Sequence, residues 1–84
     1  MLFVSVQIRP LVQPEKQFRI GFTGASVWRN TTTDGKNFYS VTFSRMYRDG
    51  EDIKHTDSFS HDDLMNLVKL AERTEAYIAS QMLD

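Results

Sequence analysis

From Ala25 to Leu70 the chain reads as strand, turn, strand, turn, strand, cap and helix, with almost no residues left over. The punctuation is Asp34-Gly35 and Asp49-Gly50, two dipeptides suited to hairpin turns because glycine takes positive φ without a Cβ penalty. Between them Tyr39, Val41, Phe43 and Tyr47 alternate with Ser40, Thr42 and Ser44, a period-two pattern with one apolar and one small polar face. The polar face is either solvated or kept clear for a ligand. Ile53 to Phe59 gives a weaker last strand. Upstream, Phe18, Ile20 and Phe22 alternate with Arg19, Gly21 and Thr23, and Ala25, Val27 and Arg29 alternate with Ser26, Trp28 and Asn30. If the two runs are one strand, Gly21 and Gly24 mark a bend or a bulge; a tight turn at Thr23-Gly24 is the other possibility. Leu2, Val4, Val6 and Ile8 mark a further strand, and Pro10 and Pro14 bracket the loop after it.

Ser60 opens a helix. Its hydroxyl is suited to capping free backbone N–H groups, and Asp62 and Asp63 occupy the first turn, where the helix dipole favours negative charge. Leu64, Leu67, Val68, Ala71, Ile78 and Met82 recur at three- and four-residue spacing and predict one apolar stripe facing Val27, Val41 and Phe43. Leu70 and Tyr77 lie off that stripe, positioned to meet a second subunit. Strands followed by a helix predict an α+β domain: a bent antiparallel sheet of four to five strands with one long C-terminal helix packed on it. Residues 1–84 make a single domain. A chain this short buries a small core, and with no cysteine it has no disulfide to compensate. Dimerisation is the remaining common remedy, so a homodimer is expected.

Enzyme chemistry is not expected. His61, Asp62 and Asp63 form a tempting cluster, but consecutive residues in a helix's first turn point in different directions. Ser60 beside His61 fails as a nucleophile pair for the same reason, and His55 stands alone on its strand. No glycine-rich phosphate loop and no HExxH pattern occurs. With two histidines and no cysteine, a structural zinc would need carboxylate ligands, so neither a metal nor a cofactor is expected. Asn30-Thr31-Thr32 fits a glycosylation acceptor but reads as the start of a turn. No apolar run approaches the roughly 20 residues that span a bilayer, and the N-terminus lacks a signal-peptide pattern. No membrane association and a cytoplasmic location follow as expectations.

Charge is spread unevenly over a net −1. Phe18 to Arg48 holds Arg19, Arg29, Lys36, Arg45 and Arg48 against Asp34 alone, whereas Asp49 to Asp84 is strongly acidic. In the basic stretch the cations interleave with Phe18, Phe22, Trp28, Phe38, Tyr39, Phe43 and Tyr47. Single-stranded nucleic acid is held by this mixture: cations neutralise phosphates and aromatic faces stack on bases. The competing reading makes the aromatics sheet core and the acidic helical half, with Asp62, Asp63, Glu72 and Glu75, a surface for a protein partner. The two diverge on one point. Nucleic-acid binding expects Arg29, Arg45 and Arg48 together on one exposed face; a protein adaptor expects them scattered or paired with acids.

The run from Trp28 onward (WRN, DGKNFYSVTFSRMYRDG, DSFSHDDLMNLVKLAE) resembles a family of small, uncharacterised bacterial proteins over about two thirds of the chain. The layout is also similar to the PC4 and Whirly type of single-stranded DNA-binding fold. That resemblance implies a curved antiparallel sheet followed by one helix, pairing of two copies largely through the helices, and DNA lying across the sheets. Mapped onto this sequence, it implies that Trp28, Arg29, Lys36, Phe38, Arg45 and Arg48 carry binding. A net charge of −1 is lower than such proteins usually have, so binding is expected to be modest and strongly salt-dependent.

Overall fold

The structure, a computed structural model, describes residues 13–82; the run from Leu2 to Arg9 lies outside them. Strands β1 (Lys16–Ile20), β2 (Thr23–Thr31), β3 (Asn37–Asp49) and β4 (Asp52–Thr56) precede helix α1 (Leu64–Gln81). Each strand pairs antiparallel with the next, so the order across the sheet is β1-β2-β3-β4. The α+β layout is as expected, with four strands in one sheet among the described residues.

Turn chemistry sets the register. The β1–β2 turn falls at Gly21-Phe22, with Ile20 paired to Thr23. Neither alternative offered for Gly24 is realised. Gly21 takes the left-handed φ of 61° that a two-residue hairpin needs, while Gly24 sits within regular β2 opposite Arg19 and Ser44. Asp34-Gly35 turns the chain as predicted, closed by the Thr32 N–H on the Lys36 carbonyl at 2.8 Å. The last hairpin pairs Asp49 with Asp52, so its corners are Gly50, at φ 66°, and Glu51. Strand β4 stops at Thr56, short of the predicted Phe59, where the Thr56 hydroxyl accepts the Ser58 N–H at 3.1 Å.

The register sorts every strand residue onto one of two faces. Ala25, Val27, Val41, Phe43 and Tyr47 share the face covered by α1, which packs on β1, β2 and β3. Ala25, Val27 and Leu70 are the fully buried apolar residues, so the described core is small. The helix meets it rotated from expectation. Leu70 is buried and Tyr77 sets its ring edge-on to Phe18 at 6.2 Å, whereas Leu64, Val68 and Met82 stay exposed. The outward positions expected for Leu70 and Tyr77 are therefore corrected: both face the sheet. Small side chains at Ala25 and Val27 leave room for Leu70. Thr74, one turn further on, is buried without cost because its hydroxyl donates to the Ala71 carbonyl at 3.0 Å. Thr74 is not part of the predicted stripe, yet it lies with Leu70 on the buried face of the helix. Ile78 and Met82 line a hollow with Asn37, Phe38 and Tyr39, so the last turn of α1 borders the start of β3.

A 3-10 turn, His61–Asp63, leads into α1. The Asp63 carboxylate reaches back to accept the Ser60 N–H at 2.8 Å and the Ser60 hydroxyl at 3.0 Å. This is the reaching-back half of a capping box, and it satisfies a donor that the helix start leaves free.

Candidate functional site

The face of the sheet away from α1 carries Gln17 and Arg19 from β1, and Ser26, Trp28 and Asn30 from β2. From β3 and β4 it carries Phe38, Ser40, Thr42, Ser44, Met46, Arg48, Ile53 and His55. No Asp or Glu stands on this face among the described strand residues. Its hydroxyls and amides are tied to one another across the strands. The Trp28 indole N–H donates to Thr42 Oγ1 at 3.0 Å, Asn30 Nδ2 to Ser40 Oγ at 3.1 Å, and Gln17 Nε2 to Ser26 Oγ at 3.3 Å. The bond from Trp28 fixes the plane of its half-buried ring. Phe38 is 50% exposed.

The structure does not bring the predicted binding residues together. Trp28, Phe38 and Arg48 share the open face, and Lys36 projects from the β2–β3 turn. Arg29 and Arg45 lie on the helix-covered face, each paired with an acid. This corrects the expectation of one face carrying Arg29, Arg45 and Arg48, and the cause is strand parity: Arg45 and Arg48 are three residues apart on one strand and so point to opposite sides.

Both ion pairs tie the helix side together. Arg29 Nε donates to Glu15 Oε1 at 2.7 Å and its Nη2 to the Tyr39 hydroxyl at 2.7 Å. The Tyr77 hydroxyl donates to Glu15 Oε2 at 2.7 Å, linking the residue before β1 to the last third of α1. Arg29 first, then Tyr77, hold the Glu15 carboxyl below its ordinary 4.5; the hydrogen bonds to Glu15 raise Arg29 and Tyr77 above their ordinary values. At the other end of the helix, Arg45 Nε lies 2.9 Å from Asp63 Oδ2. That N–H is not aimed at the oxygen, so the contact is coulombic rather than an aligned hydrogen bond. The Ser60 backbone N–H is the leading cause that holds Asp63 below its ordinary 3.8, with the Ser60 hydroxyl and Arg45 adding to it against burial.

Arg19 is the open-face cation that sequence reasoning passed over. Its Nη1 reaches Met46 Sδ at 3.5 Å, a weak acceptor, and it has no carboxylate partner among the described residues. The signal was present, since Arg19 and Trp28 share a face once the turn is placed at Gly21-Phe22. A turn at Thr23-Gly24 would also put Arg19 and Trp28 on one face; reading the stretch as one continuous strand places them on opposite faces and hides this. His61 and Asp62 are almost fully exposed and 3.9 Å apart, and no group of three His, Asp or Glu converges among the described residues. No described helix is long and apolar enough to cross a membrane.

No family model, curated protein or solved structure matches this chain.

Proposed function

We propose that the open face of the sheet binds single-stranded nucleic acid. The observation that carries this reading is the composition of that face: Arg19 and Arg48, the exposed Phe38, Trp28 and a field of Ser, Thr and Asn, with no acid among its described strand residues. An extended strand needs cations for phosphates, rings for bases and short hydrogen-bonding groups between them. Arg48, Arg19 and Lys36 hold phosphates, Phe38 offers the stacking surface and Trp28 lines the path beside it. Arg29 and Arg45 act in the fold instead, and the chemistry is binding without catalysis. The test is fluorescence anisotropy of a labelled oligothymidine. Three phosphate contacts predict a salt slope of roughly −2, or about 15-fold weaker binding between about 50 and 200 mM salt. Absence of saturable binding at tens of micromolar in low salt sinks the reading.

The protein acts as a homodimer on this reading. Leu64, Val68 and Met82, each about half exposed or more, are the helix residues available to pair two copies. Sedimentation equilibrium checks this, and Val68→Asp should shift the population to monomer.

A second reading has its own support. Arg29 and Arg45 are paired with acids, as a protein adaptor working through the acidic half expects. Asp62, Glu72 and Glu75 are exposed beside Leu64 and Val68, a surface suited to a basic partner. Neutralising Glu72 and Glu75 to Gln should leave oligonucleotide binding intact if the open face is the working surface.

A further inference from the structure

The open face is not flat. Above Gly24 lies a hollow of about 160 Å³, walled by Arg19, Ser26, Ser44, Met46 and His55. Its floor exists because residue 24 has no side chain. Gly24 pairs with Arg19 on one side and Ser44 on the other, so a longer side chain there would fill the space beneath the Arg19 guanidinium. A Cβ at this position would already stand 3.4 Å from the Phe18 carbonyl oxygen. The conformation at Gly24 is ordinary extended strand, so glycine is not needed there for the backbone's sake. What its absence of side chain provides is room.

The walls of that room are donors. Arg19 offers a planar fork of N–H groups, and Ser26, Ser44 and His55 offer O–H and N–H. No carboxylate lines the hollow, and among the described residues Arg19 donates to the Met46 thioether, a weak acceptor that an incoming oxyanion easily displaces. A second, apolar recess of about 290 Å³ shares the wall made by Phe22 and Met46 and is otherwise lined by Arg45, Tyr47, Arg48 and Ile53. Phe22 and Ile53 are 66% and 54% exposed, and no packing role in the described fold accounts for either.

Resting on the reading that this face binds single-stranded nucleic acid, we infer that the hollow over Gly24 seats one backbone phosphate and that the adjoining recess takes a neighbouring base against Phe22 and Ile53. Arg19 and the two serines hold the phosphate oxygens. Met46 is the partition between the two compartments. Binding therefore extends along the sheet from Phe38 toward the β1–β2 turn, rather than centring on the β2–β3 hairpin.

The test is a titration of the full-length, 15N-labelled chain with dT12, with rU12 and with inorganic phosphate, followed by amide chemical shifts, alongside anisotropy of two variants. Wild type should show shifts at Gly24, Ser26, Ser44 and Ile53 with the oligonucleotides. Arg19→Gln should weaken dT12 binding roughly ten-fold at low salt, as loss of a hydrogen bond to a charged group does, and reduce the salt slope by about 0.7. Arg19→Lys should keep the slope. Phe22→Ala should weaken binding without changing the slope, since it removes stacking and no charge. If neither oligonucleotide binds wild type, this inference falls with the reading it rests on. If they bind with shifts confined around Phe38 and Trp28, and Arg19→Gln binds as wild type does, the two-compartment site alone is overturned. Shifts at Gly24 and Ser44 from inorganic phosphate, without oligonucleotide binding, overturn it too and leave a free-anion site. Equal response to dT12 and rU12 is expected, because nothing in the hollow selects a 2′-hydroxyl; a response to one alone overturns the assignment of the hollow to backbone phosphate.

Discussion

The two faces of this sheet handle charge in opposite ways. On the helix side, Arg29 meets Glu15, Arg45 meets Asp63 and Lys54 meets Asp49, each nitrogen within 2.9 Å of an oxygen. On the open side, Arg19 and Arg48 stand among hydroxyls with no acid on the same described face. Packing explains the pair at the helix start, where Arg45 Nε is buried beside Asp63 and a cation left without a partner would lose hydration and gain nothing; Arg29 and Lys54 keep about half of their side-chain surface exposed. No covering element imposes that requirement on the other side, where unpaired cations remain hydrated and available. The difference teaches that a basic stretch of sequence is not a basic surface. Of the cations from Arg19 to Arg48, those facing the helix are consumed by the fold.

The sharpest way to break this contrast is to compare a residue from each side by stability. Leu70→Ala removes a fully buried side chain and should cost about 2–5 kcal/mol. For a chain with so small a described core, that is a large part of its whole margin. Arg48→Gln on the open face should change stability by less than about 0.5 kcal/mol. Chemical denaturation of both variants checks the pair. Similar losses would mean that the open face is structural after all.

The next effect concerns binding. Phe38→Ala should weaken oligonucleotide affinity by about 1–3 kcal/mol, the usual worth of a stacked base, while the midpoint of unfolding moves little because the ring is half exposed. A variant that unfolds as much as it loses affinity would assign Phe38 to packing and return the face to plain structure.

Much of this division was legible in the residues. Alternation over Tyr39 to Tyr47 assigned both faces of β3, and Asp34-Gly35 set the central hairpin. Ser60 with Asp63 marked the helix start, and the two form a capping box there. The failures have physical sources. Gly21 and Gly24 were open to reading as a bend, a bulge or a turn at Thr23-Gly24, and only the strand pairing places the turn at Gly21-Phe22. The rotation of α1 depends on a threonine that satisfies itself within the helix and so passes as apolar. Which arginines are free depends on where acids distant in sequence arrive: Glu15 reaches Arg29 across β1, and Asp63 reaches Arg45 only after the helix docks. Periodicity carries no information about those meetings.

Arg45 and Arg48 give a finer comparison, since they sit on one strand and differ in the face they present. Arg48→Gln should lower the salt slope of oligonucleotide binding by about 0.7, one phosphate contact on a single strand. Arg45→Gln should leave the slope unchanged and lower stability instead, because Asp63 loses its cation. If both variants change the slope equally, the strand is not read from one side, and the distinction between faces fails where it is most direct.

The smallest effect tests whether the helix side is held by charge. Glu15 has a folded pKa below its ordinary 4.5, first because of Arg29 and then Tyr77. A depressed carboxyl pKa means that the unfolded chain binds the proton more readily, so the ionised group stabilises the fold at all pH values above the unfolded pKa. That contribution should be fully present at neutral pH and fade as pH falls from about 4.5 through the lower folded value. Glu15→Gln keeps the shape and the hydrogen-bonding capacity but removes the charge. The gap in melting temperature between wild type and Glu15→Gln should therefore be steady from pH 8 to about 5.5 and close in more acid solution. Asp63, held below 3.8 chiefly by the Ser60 N–H, should act in the same direction at slightly lower pH. A gap that persists unchanged to pH 3 would mean that Arg29 and Tyr77 hold Glu15 by shape and neutral hydrogen bonds. The contrast between a charge-paired face and an acid-free one would then lose its physical basis on the helix side, whatever the open face proves to bind.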